Sequence, residues 1–558
     1  MNLRLLGLAS IALASSSVVA ACGGGPGGST GSDAGGHTLP DVGPIDAHVE
    51  PPPPASCETG ASPHATVTTP TLQTTLSDRW QEAWLGSPAV VDLDGDGTNE
   101  ILVPRDELLL AWHLDGAVVF RAETEGRIWA SPVVADFLPA HAGLEVAVAS
   151  RGNVHLFGAD ATEMPGFPVT WQDELRAIAA ANIDTDEALE IVVVTTTPLD
   201  ANDPSGTAQR DIVLAVNVDG SIVPGFPPNT TGAAGCDDAC YVTGGYDQNL
   251  ALGDVTGDGR PEIFATQDNA YLSLHAGDGR ASDAASIFSG RTKFQGIRGM
   301  LDYGLAQQGY ADDEAVDLQA HYTNSAPAIA DLDGDGIREL VVLGSVQTTD
   351  QNDRFRGVVV FALHADGTRP SAWVTPFHAP DYLAGLWDYD GTNVVGATNE
   401  ISVAELDPTR AGPEMVFAGF DGRIHAIDAR ATELWAATYT TSDRELTSGV
   451  VIADLTQDGV PEIVFATYSP DDGAGGRLVV LGANGAEQAS VALPGRGAMP
   501  VPTIADVDGD HQLEIVVSLK DGEDRMRSVL VFTVPGSGDG CLLWPTGRRD
   551  YLRDGLVP

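Results

Sequence analysis

Eight times along this chain a short acidic loop runs directly into a run of apolar, strand-forming residues. The clearest copy reads Asp92-Leu93-Asp94-Gly95-Asp96-Gly97-Thr98-Asn99-Glu100 and leads into Ile101-Leu102-Val103. Near-perfect copies begin at Asp331 and Asp506, and variants with Thr or Asn in place of one Asp begin at Asn182, Asp254 and Asp454. Looser echoes lead into Glu145 and Glu414. A unit that recurs in this way stacks on its neighbours to bury its apolar faces, so the repeat governs the fold.

One repeat can be built from its residues. Ser87 to Asp92 reads as a first strand, then comes the acidic loop, a second strand from Glu100 to Val103 and a third from Leu108 to Leu114. An Asp115-Gly116 pair, the preferred two-residue hairpin turn, leads to a fourth strand from Ala117 to Ala122. Similar turns recur at Asp219-Gly220, Asp366-Gly367, Asp421-Gly422 and Asn484-Gly485. Four short antiparallel strands in a repeat of roughly 45 residues form one propeller blade. The expected fold is therefore an all-β propeller of eight four-stranded blades, or seven if the Asp136 copy or the end segments share a blade.

The loop chemistry points to calcium. Carboxylates at positions 1, 3 and 5 converge, glycines permit the tight turn, position 7 offers a carbonyl and the position-9 Glu closes a shell of hard oxygens. The five fullest copies supply Asp92, Asp94, Asp96, Thr98 and Glu100; Asp254, Thr256, Asp258, Arg260 and Glu262; Asp331, Asp333, Asp335, Ile337 and Glu339; Asp454, Thr456, Asp458, Val460 and Glu462; and Asp506, Asp508, Asp510, Gln512 and Glu514. A sixth offers Asn182, Asp184, Asp186 and Glu190, so five or six ions are expected. The loops before Glu145 and Glu414 have lost their middle acids and are not expected to be sites. The helix–loop–helix calcium hand closes with a Glu at position 12 between helices, whereas here the flanks are strands. An Asp-rich hairpin turn without metal is the plain alternative.

These D-x-[DT]-x-D-G-x-x-E loops resemble the FG-GAP/VCBS repeat family, which includes the calcium-binding blades of integrin-type propellers, and the resemblance covers residues 76–558. It implies the propeller fold and the metal. It does not imply one activity, because adhesins, lectins and some lyases share this scaffold. Ala426 to Trp435 also resembles the tryptophan-docking motif of quinoprotein dehydrogenases, but it occurs once and lacks the usual Thr-Gly step.

Residues 1–21 read as an export signal, with Arg4 at the positive end and Leu5 to Ala14 as the apolar stretch. Val19-Ala20-Ala21-Cys22 resembles a bacterial lipobox, so Cys22 is the expected lipidation site; cleavage of an ordinary signal peptide after Ala21 is the alternative. Gly23 after Cys22 implies the outer membrane of a Gram-negative cell, facing the periplasm or the surface. Residues 22–75, rich in Gly, Ser and Pro, are expected to form a flexible tether reaching about 40 Å. Four further cysteines in an oxidising compartment suggest two bridges, Cys236–Cys240 and Cys57–Cys541. The second would fasten the ends of the ring and be worth roughly 4–5 kcal/mol in the chain-entropy model. The net charge of −50 excludes nucleic acid as a natural partner.

Loop starts at 92, 136, 182, 254, 331, 405, 454 and 506 leave gaps of 44, 46, 72, 77, 74, 49 and 52 residues, so blades 3–5 are enlarged. Their long connections are expected on the face opposite the acidic loops, where binding sites are usually built. Two basic or aromatic islands supply ligand-face candidates: Arg291, Phe294, Arg298, Tyr303, His321 and Tyr322, then Phe377 and Trp387; packing of the long loops onto the ring is the alternative for each residue. His113, Asn217 and His364 share one strand register and read as scaffold. No H-E-x-x-H, G-x-S-x-G or Walker sequence is present. The expected function is a non-enzymatic, calcium-stabilised module, anchored to the membrane through its lipid, that binds a glycan or protein. A polysaccharide-degrading enzyme similar to propeller-type rhamnogalacturonan lyases is the alternative, with His321, Arg291 and Arg298 as its testable residues.

Overall fold

The computed structural model describes residues 56–77, 81–198, 213–228, 248–267, 270–308, 316–323, 325–349, 354–383, 399–521 and 528–558. Its strands fall into eight small sheets of antiparallel pairs, apart from one two-residue parallel contact between Ser325–Ala326 and Asn399–Glu400. Blade 1 comprises Ala89–Val91, Glu100–Arg105, Leu108–Trp112 and Val118–Glu123, paired in that order. The innermost strands of blades 2 to 8 are Val133–Ala135, Asp173–Ala181, Leu250–Gly253, Ala328–Ala330, Asn399–Ala404, Val451–Ala453 and Thr503–Ala505.

Each sheet packs on the next through interlocking aliphatic side chains. Val90, Ile101 and Val103 of blade 1 meet Val516, Val529 and Val531 of blade 8, so the succession closes into an eight-bladed propeller. A central strand is sandwiched between two neighbours, which is why Ile191-Val192-Val193-Val194 is apolar at every position and wholly buried. Outer strands instead alternate, as Val118–Glu123 does. The Asp-Gly turns at Gly116, Gly220 and Gly367 adopt positive φ (88°, 82° and 80°) between third strand and outer edge. Asp421-Gly422 makes the same turn one connection earlier, between Glu414–Ala418 and Arg423–Ile427. Trp435, on the outer strand Glu433–Thr438, donates from Nε1 to the Ala483 carbonyl of blade 7 (2.7 Å) and so docks one blade on the next despite its incomplete motif.

The two ends of the chain close the ring in ways the repeat did not announce. Thr71–Leu76 pairs antiparallel with Val529–Thr533 and becomes the outer strand of blade 8. The folded region thus begins well before residue 76. Residues 57–70 also dock, with Val67 buried and Cys57 joined to Cys541 (Cα–Cα 5.5 Å). The expected tether misjudged this stretch because an edge strand with one exposed side needs main-chain pairing, not an apolar run. Cys22, Cys236 and Cys240 lie outside the described residues.

After blade 8 the chain turns inward. Leu542–Trp544 pairs with the innermost strand of blade 7. Residues 545–557 then pass round the inner strands of the remaining blades. Ile504 donates to the Pro545 carbonyl (2.8 Å), Val90 to the Tyr551 hydroxyl (3.1 Å), Val134 to the Tyr551 carbonyl (3.0 Å) and Ala180 to that of Leu552 (3.0 Å). Leu252 and Ile329 donate to the Asp554 and Gly555 carbonyls (2.9 Å each), and the Arg548 amide donates to Glu400 of blade 6 (2.7 Å). One segment thereby touches every blade. Arg553, 1% exposed, donates to the carbonyls of Pro88, Pro132 and Gly547 and to Thr546 Oγ1. Substituting Arg553→Ala should leave those buried acceptors without this charged donor, lowering stability by about 3–5 kcal/mol, read as a drop in urea midpoint.

Candidate metal centres

In every blade the loop-closing Glu performs the same act. One carboxylate oxygen accepts the amide of the residue that follows the start of the loop: Leu93 to Glu100 (2.8 Å), Phe137 to Glu145 (2.9 Å), Ile183 to Glu190 (2.9 Å) and Val255 to Glu262 (3.0 Å). Leu332 to Glu339 (2.9 Å), Leu406 to Glu414 (2.8 Å), Leu455 to Glu462 (2.8 Å) and Val507 to Glu514 (3.0 Å) complete the set. Blades 2 and 6 keep this bond although their loops have lost middle acids. The glutamate is therefore first a structural clasp.

The rest of each full loop is ordered by its own carboxylates. Asp92 accepts the amides of Gly95, Asp96 and Gly97, while Asp96 accepts that of Thr98 (2.8 Å). The same bonds tie Asp331 to Gly334 and Gly336, Asp335 to Ile337, Asp506 to Gly509 and Asp510 to Gln512. Arg260 and Val460 donate likewise to Asp258 and Asp458. Ile337 and Val460 leave their side chains exposed (46% and 42%), as suits positions whose main chain alone is needed.

Four carboxylate groups bring ligand oxygens within 4.8 Å of one another: Asp92, Asp94 and Asp96; Asp184, Asp186 and Glu190; Asp331, Asp333 and Glu339; Asp506, Asp508 and Glu514. In these four loops the second oxygen of Glu100, Glu190, Glu339 or Glu514 is buried and accepts no hydrogen bond, and the same holds for that of Glu145 and Glu414 in the two loops without a full set of acids. Burial, with the nearby loop aspartates adding to it, pushes Glu100, Glu190 and Glu514 up to about 7. An unpaired buried carboxylate oxygen beside further carboxylates is costly unless a cation joins them. The donors are all hard oxygens, so the residues fit a divalent cation of that class.

The nominated ligand-face residues are largely packing residues. The insert after blade 4 runs along that blade's flank: Ala281 bridges His275, and Arg298 bridges Tyr271. Ala285 donates to the Asp366 carbonyl in a turn on the acidic-loop side, so this insert is not confined to the opposite face. Phe294 and Tyr322 join the core between blades 4 and 5. Arg298 and His321 are buried, Arg291 is half-buried, and Tyr303 is half-buried beneath Arg369. Phe377 is half-buried against Phe417, and Trp387 lies outside the described residues. Sequence spacing identified extra chain but not where it packs. His113 and His364 point Nδ1 at the clasp glutamates Glu100 (3.3 Å) and Glu339 (3.5 Å).

A group absent from those expectations occupies the face opposite the acidic loops. Lys520, Trp84, Arg127, Trp129 and Arg176 alternate cation and aromatic ring. Lys520 Nζ stands 3.6 Å from the Trp84 ring centre, Arg127 Cζ lies 3.8 Å from Trp84 and 4.6 Å from Trp129, and Arg176 Cζ lies 3.6 Å from Trp129. Glu82, Asp106 and Glu174 flank the cations. Both tryptophans sit in connections that enter an innermost strand through a Ser-Pro step, Ser87-Pro88 and Ser131-Pro132. That repeated Trp-before-Ser-Pro pattern was the available signal.

No protein-family model matches the chain, and no curated protein matches it. Among solved structures it is similar to the biofilm matrix protein Bap1 of V. cholerae, at 13% identity over 88% of this chain and 96% of that one, with a TM-score of 0.50. A Bacillus licheniformis rhamnogalacturonan lyase (16% identity, 84% and 75% covered, TM-score 0.45) and a Comamonas testosteroni quinohemoprotein alcohol dehydrogenase (13%, 83% and 76%, 0.43) are also similar. These are likenesses of fold alone.

Two buried histidines give a pH test. Burial lowers His275 to about 4, against the raising effect of its bond to Gly279, and burial with Arg354 nearby lowers His321 to about 3. Both fold neutral, so their contribution is fully present above about 6.5 and is lost as pH falls from there through 4 and 3. The raised loop glutamates act in the opposite sense, so the histidines are isolated by difference. Relative to the parent, His275→Gln or His321→Gln should show a shallower loss of urea midpoint between about pH 6.5 and 4.

Proposed function

We propose that this chain is a calcium-stabilised, extracytoplasmic propeller of FG-GAP/VCBS type that acts as a binding module. Calcium would be held by the aspartate loops and the clasp glutamates, and would cross-link each loop by neutralising its converging charges. The module would be attached to the outer membrane through lipidated Cys22. Among the described residues, no helix is long and apolar enough to cross a bilayer.

The observation that carries the binding role is the tryptophan–cation stack. It holds the Arg127 guanidinium, 34% exposed, against Trp84 and Trp129, which are themselves buried (2% and 6%), on connections at the face away from the metal loops. A guanidinium fixed in this way can hydrogen-bond a sugar hydroxyl or pair with a carboxylate of a protein. The centre of the ring is filled by residues 545–557, so a face rather than a channel is the natural docking surface. A lyase needs a base open to its substrate, and His321 is 1% exposed, which favours the binding reading.

Two outcomes are expected. About 10 mM calcium should raise stability over EDTA by roughly 1.5–2.7 kcal/mol per occupied site, for dissociation constants of about 10⁻⁴–10⁻³ M; an unchanged thermal midpoint would sink the metal reading. On a glycan and protein array, Arg127→Ala combined with Arg176→Ala should lose binding at least about tenfold while the thermal midpoint shows a folded ring. Retention of binding by that variant would put the surface elsewhere, and release of unsaturated sugars by the parent would favour the lyase.

A further inference from the structure

Six loops carry enough oxygen donors to hold a cation, yet they divide on a single contact. In blades 1, 3, 5 and 8 the inner oxygen of Glu100, Glu190, Glu339 and Glu514 is buried and accepts no hydrogen bond, with His113 and His364 standing Nδ1 3.3 and 3.5 Å from the first and third; these glutamates are at most 1% exposed. In blades 4 and 7 the third loop position is Thr, and its hydroxyl meets that oxygen instead. Thr256 Oγ1 donates to Glu262 Oε1 at 3.0 Å, and Thr456 Oγ1 lies between Glu462 Oε1 (3.5 Å) and Asp454 Oδ1 (3.3 Å).

We infer that cations bind only in the loops of blades 1, 3, 5 and 8, and that the loops of blades 4 and 7 are closed by a threonine hydroxyl in place of the ion. This rests on the calcium reading above. The Asp-to-Thr change acts twice, since it removes one anionic ligand and supplies a proton donor to the glutamate that would otherwise need the metal. Affinity in oxygen cages of this kind falls as charged ligands are lost. Asn182 removes a charge from blade 3 as well, but its amide nitrogen turns to the Asp186 carbonyl (2.8 Å), so no donor reaches Glu190 and the vacancy in its hydrogen bonding persists.

Blade 7 adds an independent observation. Its loop is covered by the segment that Cys57–Cys541 ties down: Gly60 donates to the Gln457 carbonyl and His64 to that of Thr456 (2.8 Å each), and Thr59 Oγ1 donates to that of Asp458. The Asp454 amide is bonded to the Cys541 carbonyl, and Asp454 and Thr456 are each 1% exposed. A covalently anchored strap pins this hairpin, the task that a cation performs elsewhere in the ring.

The test is the calcium count of the full chain in detergent, by native mass spectrometry and titration calorimetry at up to about 10 mM calcium. Four ions per chain are expected; five or six would overturn the assignment. Thr256→Asp should raise the count by one, and an unchanged count in a folded variant would overturn the role of the hydroxyl. Thr256→Val should keep the count at four while lowering the thermal midpoint in EDTA, because Glu262 loses its donor; a count of five there would also refute the inference. Absence of any bound calcium refutes the calcium reading itself, an outcome distinct from a count of six.

Discussion

A carboxylate oxygen of the loop-closing glutamate accepting one loop amide is the contact on which each blade is hung. Every such glutamate opens its strand and pairs across the ladder with the last residue of the innermost strand: Val91 with Glu100, Ala181 with Glu190, Ala330 with Glu339, Ala505 with Glu514. The bond fixes the hairpin from inside the turn. A slip of one residue would turn every inward aliphatic side chain outward, so the clasp also sets which faces the blades present to each other. Burying a carboxylate is tolerated because a charge-assisted bond meets it.

Closing a ring of eight such units needs contacts that no single repeat contains. The strand Thr71–Leu76 completes blade 8 from the other end of the chain, and residues 542–557 bond to all eight innermost strands. Arg548, Arg553, Asp550, Asp554 and Glu400 form a buried network of opposite charges along this path. The centre is thereby occupied by the chain itself, and the two faces are left to do different work.

Those faces differ in chemistry. The acidic loops gather on one side, whereas Lys520, Arg127 and Arg176 sit among tryptophans on the other. A protein with a net charge of −50 thus keeps cations backed by buried aromatic rings away from its most negative side. Divalent cations on the acidic side would sharpen that difference in role, stiffening one face while the other remains free for recognition.

The repeat, the four-stranded blade, the glutamates and the first aspartates were legible because they are local: loop and hairpin chemistry depends on residues within about ten positions of each other. Whether Phe294, His321 and Tyr322 pack or face a ligand was not legible, because burial depends on which neighbouring blade lies against them. Trp84, Trp129 and Lys520 went unnoticed because they come from three separate connections. The polar strand Thr71–Leu76 was invisible because its partner lies more than 450 residues away and is held by main-chain bonds that any side chain permits. Periodic local chemistry therefore determined the unit and its carboxylate-lined loops, while the closed ring, through contacts distant in sequence, decided what is core and what is face.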